Sequence, residues 1–170
     1  MRHLWLLRHA KSSWDDADLD DHDRPLAPRG ERAAAAMASH LQVAGVRPQL
    51  VLCSSALRAR RTLGIVLASL GDRLEVRIDP QLYTFDAEVL LGRLRSVRDD
   101  VSSLLLVGHN PAVQELALLV ADGGASRRRV AEKLPTGALV TIALADAPWT
   151  RLGESDAEIE GLVVPRRLDR

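Results

Sequence analysis

The sequence predicts an α/β fold, a mostly parallel central sheet flanked by helices. Two observations point to it. Short runs rich in Leu and Val alternate with longer segments of helical period, the pattern of a parallel sheet with crossover helices. The runs are also almost continuously apolar, as strands covered on both faces must be.

The first strand is expected over 3–7, where Leu4-Trp5-Leu6-Leu7 stops abruptly at Arg8-His9. A long Asp-rich connection follows, and an Ala-rich helix over 31–43 begins after Gly30. The strand 50–53 leads into a helix over 57–70 that closes at Gly71, a C-terminal glycine signal. A strand over 76–78, a helix over 87–97, a strand over 103–107 and a helix over 112–121 continue the alternation. Ahead of that last helix, Gly108 allows tight passage out of the strand. Asn110 is expected as N-cap and Pro111 at the first helical position. A strand over 138–144 follows, and the pattern weakens beyond Pro148. The stretch 158–164 reads as one last edge strand or a loosely held tail.

A chain of 170 residues, 46% of them hydrophobic, fits one domain over 1–170. Lys+Arg 23 balances Asp+Glu 23, so no global field attracts a polyanion, and nucleic acid is not expected as a principal partner. The run Arg127-Arg128-Arg129 lacks interleaved aromatics and reads as a solvated helix face. The single cysteine, Cys53, excludes an intramolecular disulfide and sits in an apolar run as a buried small hydrophobe; a reducing cytoplasm is the expected location. The apolar run at 4–7 is too short for a signal segment or a membrane span, so no membrane association is expected.

The connection 14–28 carries Asp15, Asp16, Asp18, Asp20, Asp21 and Asp23. Asp16, Asp18 and Asp20 alternate as calcium-loop ligands do, but the turn glycine is missing and Ala27 stands where the closing glutamate belongs. The loop is therefore expected to be solvated, with no metal.

In an open parallel sheet, ligands gather outside the carboxyl ends of the strands. After the first run come Arg8 and His9. After the second come Ser54, Ser55 and, on the opening helical turn, Arg58; after the fourth come Gly108, His109 and Asn110. Arginine offers a planar fork for phosphate oxygens, and histidine is the side chain most easily poised as a nucleophile near neutral pH. His109 is placed beside a helix N-terminus, whose free amides favour an anion. Together these groups could neutralise a dianionic phosphoryl group and its transition state. His3, His22 and His40 have no such placement, and Arg60 and Arg61 read as helix surface.

These residues carry a resemblance. Arg8-His9-Ala10 resembles the Arg-His-Gly motif of the histidine phosphatase superfamily, the phosphoglycerate mutase-like family. Ser54-Ser55-Ala56-Leu57-Arg58-Ala59 with Thr62 resembles its second-arginine motif, and Gly108-His109-Asn110 its second-histidine motif. The length, Arg24-Pro25-Leu26, Arg29-Gly30 and Leu134-Pro135-Thr136-Gly137 are most similar to the small SixA-type phosphohistidine phosphatases. The resemblance covers about 1–144. It implies a three-layer α/β sandwich, phosphoglycerate mutase-like, and metal-independent phosphoryl transfer with no cofactor. His9 would be the nucleophile, and Arg8, Arg58 and His109 would hold the phosphoryl oxygens.

Two positions depart from the family pattern. Ala10 replaces the usual glycine, which requires a backbone there that avoids positive φ. Larger members also use an acid after the third strand, and here Leu82-Tyr83-Thr84-Phe85-Asp86-Ala87-Glu88 aligns none. Asp86 reads as a helix cap, and Glu88 ranks slightly ahead of it as a candidate proton donor. A missing acid fits phosphohistidine, whose imidazole can leave with a proton it already carries. The expected function is a cytoplasmic phosphatase acting on phosphohistidine in proteins, or on a small phosphorylated molecule, through phospho-His9. The alternatives are a phosphomonoesterase of the same mechanism and a non-catalytic phosphate-sensing or protein-interaction module. A mutase fits less well, because a short chain has little room for insertions that exclude water.

Overall fold

The apolar runs become β1 (Arg2–Arg8), β2 (Leu50–Ser54), β3 (Glu75–Asp79), β4 (Ser103–Gly108) and β5 (Leu139–Leu144), and β6 (Ala157–Val163) adds a further edge. They belong to a computed structural model that describes residues 1–154 and 156–168. The sheet order is β3-β2-β4-β1-β5-β6. The first four of these run parallel, while β5 is antiparallel to β1 and β6 antiparallel to β5.

Side chains that alternate along each strand divide between two cores. Leu4, Leu6, Leu104 and Leu106 point to one side, where they join Leu90 and Leu94 of α3 (Ala87–Arg95) and Leu116 of α4 (Ala112–Val120). Trp5, Leu7, Leu105 and Val107 point to the other, where they meet Met37 and Leu41 of α1 (Pro28–Val43) and Leu63 and Val66 of α2 (Leu57–Val66). Three layers result, and both faces of the central strands are buried. A short α5 (Arg127–Glu132) packs against β6. Among the described residues, no helix is long and apolar enough to cross a membrane.

Several elements differ from expectation for identifiable reasons. Helix α1 starts at Pro28 rather than 31, because Gly30 is not a boundary signal. A Cβ on Gly30 would lie 2.1 Å from the Lys11 carbonyl oxygen, so the glycine permits close approach of two backbones inside the helix. Pro111 occupies the N-cap of α4, and Asn110 instead accepts a bond at Oδ1 from the Gln114 amide at 3.3 Å. Helix α2 ends at Val66 and tightens into a 3-10 turn before Gly71, whose φ is +93°. Strand β3 is an exposed edge carrying Glu75 and Arg77, charges that suit an unpaired border. The described residues beyond Pro148 are packed rather than loose: Trp149 is 1% exposed and donates from its indole to the Val101 carbonyl at 2.7 Å.

The register positions the chemistry. Arg8 pairs with Gly108 and Cys53 with Val107, so β1, β4 and β2 end level. Their following residues open onto one place.

Candidate active site

His9 leaves β1 with its amide donating to the Gly108 carbonyl at 3.0 Å. The Gly137 amide donates back to the carbonyls of Arg8 and His9, each at 3.0 Å. The Ala10 amide donates to Thr62 Oγ1 at 3.0 Å, and that hydroxyl donates to the Arg58 carbonyl at 2.8 Å. Thr62 thereby fastens the residue after His9 to the helix that presents Arg58. No non-glycine residue among those described has a positive φ, so Ala10 meets the condition its side chain imposes.

The imidazole of His9 is buried, and its Nδ1 lies 2.7 Å from the Ala10 carbonyl. A carbonyl only accepts, so the proton sits on Nδ1 and the lone pair on Nε2. Burial is the largest influence on this group. With Arg58, Arg8 and Arg24 nearby, it outweighs the upward pull of the Ala10 bond and pushes the pKa down to about 4. His9 is therefore neutral at neutral pH.

His109 lies beside it, with ring centroids 5.0 Å apart. Its Nε2 is 2.7 Å from Ser54 Oγ, which also accepts the Ala56 amide at 3.2 Å. Nε2 offers the only acceptor within reach of the Ser54 hydroxyl among the described residues, so the hydroxyl donates to it and the ring proton resides on Nδ1. Burial first, then the charges of His9 and Arg58, lowers the His109 pKa to about 3. His109 Nδ1 and Arg8 Nε are buried and have no hydrogen-bond partner among the described residues. Arg8 Nη1 donates to the Leu134 carbonyl at 2.9 Å, which anchors one end of the guanidinium. Both orphaned nitrogens suit a tetrahedral oxyanion, whose oxygens only accept.

The Asp-rich connection is not simply solvated. Asp21 accepts from Arg58 at both its main-chain carbonyl, 2.6 Å, and its Oδ2, 3.0 Å. Arg24 donates to its Oδ1 at 3.1 Å, and the Tyr83 hydroxyl donates to Oδ2. The Tyr83 bond above all, then Arg58 and Arg24, holds this carboxyl down at about 2. Arg24 is buried, stacks over Trp14 at 3.1 Å, and also donates to Ser12 Oγ and the Ser13 carbonyl. His22, given no role from sequence, joins Asp23 at 3.0 Å to Ser55 Oγ at 2.9 Å and edges onto Tyr83.

A profile of the histidine phosphatase superfamily (branch 1) matches residues 4–134. The chain belongs to the histidine phosphatase superfamily. An uncharacterized protein of Mycobacterium tuberculosis (strain ATCC 25618 / H37Rv) is 36% identical over 164 residues, 94% of this chain and 100% of that one. Among solved structures, one assigned to the phosphohistidine phosphatase SixA from Nakamurella multipartitia aligns at TM-score 0.80 with 29% identity, over 96% of each chain. The protein histidine phosphatase SixA complexed with tungstate shares the fold at TM-score 0.77 and 24% identity, over 98% of this chain and 99% of that one. Membership in this superfamily supports a hydrolase acting on a phosphorylated substrate.

Within this member of the superfamily, the acidic side chains after β3 are exposed at the start of α3. The Asp86 carboxylate accepts the Glu88 amide at 2.9 Å and caps α3. Glu88 is exposed on the first turn, and its side chain makes no hydrogen bond among the described residues. Two aromatic residues of this stretch reach the site, Tyr83 and Phe85, with ring centroids 5.5 Å and 6.2 Å from that of His109. Cys53 is fully buried, and burial pushes its thiol up to about 12, the state of an inert core residue. Among the described residues, no group of three or more His, Cys, Asp or Glu is placed to hold a metal ion.

Proposed function

We propose that this protein hydrolyses phosphohistidine in proteins through a covalent phospho-His9 intermediate, without a metal, as one domain over 1–170. The observation that carries the proposal is His9 itself: a neutral imidazole with Nδ1 committed to the Ala10 carbonyl and Nε2 free, beside Arg8, Arg58 and His109. Nε2 attacks phosphorus while the phosphorus–nitrogen bond of the substrate breaks and its electron pair returns to the leaving imidazole. Arg8 Nε, Arg58 and His109 Nδ1–H stabilise the equatorial oxygens. Water then attacks phospho-His9, orthophosphate departs, and the His9 ring recovers its lone pair. The proton kept on Nδ1 by Ala10 makes the ring a neutral leaving group in that second step.

The choice of phosphohistidine rests on the acid. Among the described residues, Asp21 is the one carboxylate engaged with the site arginines, and a carboxyl held at about 2 is ionised and cannot donate a proton near neutral pH. A substrate imidazole that arrives protonated leaves without such help; an alkoxide does not. The SixA structure that aligns with this chain is assigned to a phosphohistidine phosphatase, which agrees with that chemistry. The lone buried Cys53 suits a reducing cytoplasm.

The test is to incubate the protein with a histidine-phosphorylated protein and with phosphomonoesters, quench early, and locate acid-labile phosphate. Label on His9 and preferential release from phosphohistidine are expected, with turnover abolished in His9→Ala. Faster release from small monoesters would assign the site to metabolites. Oxyanion binding without label or release would make it a binding module.

A further inference from the structure

We propose that Asp21 is a positioning residue: its ionised carboxylate and its main-chain carbonyl together fix the Arg58 guanidinium in the orientation that clamps the phosphoryl group. The inference rests on the phosphatase reading of the site and adds to it a residue in the Asp-rich loop, outside the three sequence motifs.

Arg58 is 4% exposed, and a long side chain in that position still has several rotamers to choose among. Asp21 removes the choice by accepting at two points, Nη1 on the carbonyl and Nη2 on Oδ2. A guanidinium has about five N–H donors, so the two given to Asp21 leave the rest for a ligand. Asp21 need not leave for the phosphoryl group to bind. It cannot leave easily either. The turn Asp21–Asp23 is tied on one side by His22 to Ser55 and on the other by Arg24 to Ser12 and Ser13. The carboxylate accepts from Arg24, Arg58 and Tyr83, residues drawn from three separate parts of the chain. A carboxylate that merely occupied the phosphate position would be bound by the ligand groups alone. Here the orphaned donors of Arg8 and His109 are left unused by it.

The test uses Asp21→Asn, which keeps the size and an acceptor oxygen while removing the charge, together with Asp21→Glu, Arg58→Ala and the double variant Asp21→Asn/Arg58→Ala. Phosphate release and orthophosphate affinity are measured on each full-length protein. Asp21→Asn is expected to lower kcat roughly 10- to 100-fold with a smaller change in KM, as a misaligned clamp does. It should also weaken orthophosphate binding, and Asp21→Glu should restore part of both. In the Arg58→Ala background the same substitution should change either quantity by no more than about twofold, because the group through which Asp21 acts is gone. Equal losses in both backgrounds would reduce Asp21 to a general structural role and overturn the proposal. Tighter orthophosphate binding by Asp21→Asn would overturn it in favour of a competing placeholder. If the unsubstituted protein releases no phosphate from any substrate, the phosphatase reading fails, and the orthophosphate arm still decides whether Asp21 positions Arg58.

Discussion

The Nδ1 of His9 is bonded at 2.7 Å to the carbonyl of Ala10, its own neighbour in sequence. The proposed nucleophile is thus oriented by backbone, and no acidic side chain is needed to hold its tautomer.

From this bond follows a spectroscopic expectation. Nitrogen NMR of the free protein should show His9 as the Nδ1–H tautomer, neutral until the pH falls to about 4. Arg58→Gln should move its titration upward, since the arginine favours the neutral ring. A His9 that titrates near the ordinary 6.5 would contradict the buried, arginine-flanked setting.

Thr62→Val keeps the shape but deprives the buried Ala10 amide of its acceptor and the Arg58 carbonyl of its donor. A loss of about 1–3 kcal/mol in unfolding free energy is expected from the orphaned amide. Because both ends of the link are site residues, kcat should fall as well. Urea unfolding and phosphate release on the same preparation check both.

Two glycines in helices should respond oppositely to alanine. Gly30→Ala drives a Cβ to 2.1 Å from the Lys11 carbonyl and should destabilise by about 2 kcal/mol or more. Gly64→Ala meets nothing within 4 Å in α2 and should stabilise by about 0.5–1 kcal/mol. Thermal melts of the pair separate close approach from simple helix propensity.

Stability should rise with pH between about 4 and 6.5. His9 and His109 bind protons less readily folded than unfolded, at about 4 and about 3 against 6.5, so unfolding takes up as many as two protons across that window. Each contributes a slope of up to about 1.4 kcal/mol per pH unit. Asp21 acts in the same direction only below its ordinary 3.8, outside this range. A flat unfolding free energy from pH 4 to 6.5 would show that the two rings are not buried as described.

Glu88→Gln should leave phosphate release within about twofold of the unsubstituted protein, as expected for an exposed side chain with no hydrogen bond to the site among the described residues. A large loss would restore Glu88 as the proton donor that its position after β3 first suggested.

The buried centre was readable in the sequence because β1, β2 and β4 are covered on both faces and leave continuous apolar runs. Arg8, His9, Arg58 and His109 were readable for a related reason: each follows the end of such a run, and parallel strands that end level bring those positions together. Asp21 had no comparable signal. It is one of six Asp residues in a loop, and what distinguishes it is contact with Arg24, Arg58 and Tyr83, partners set by tertiary structure alone. Gly30 misled in the opposite way, since a glycine that lets two backbones touch looks locally like one that marks a helix boundary.

Strand β1 is the first to be synthesised, yet it lies inside the sheet between β4 and β5, whose residues begin at Ser103 and Leu139. In the growing polypeptide His9 is made before both strands that flank β1, so its seat is completed only after β5 has left the ribosome. A product that stops short of β5 is therefore expected to be inert, and the proposed nucleophile gains its full setting only when its last flanking strand arrives.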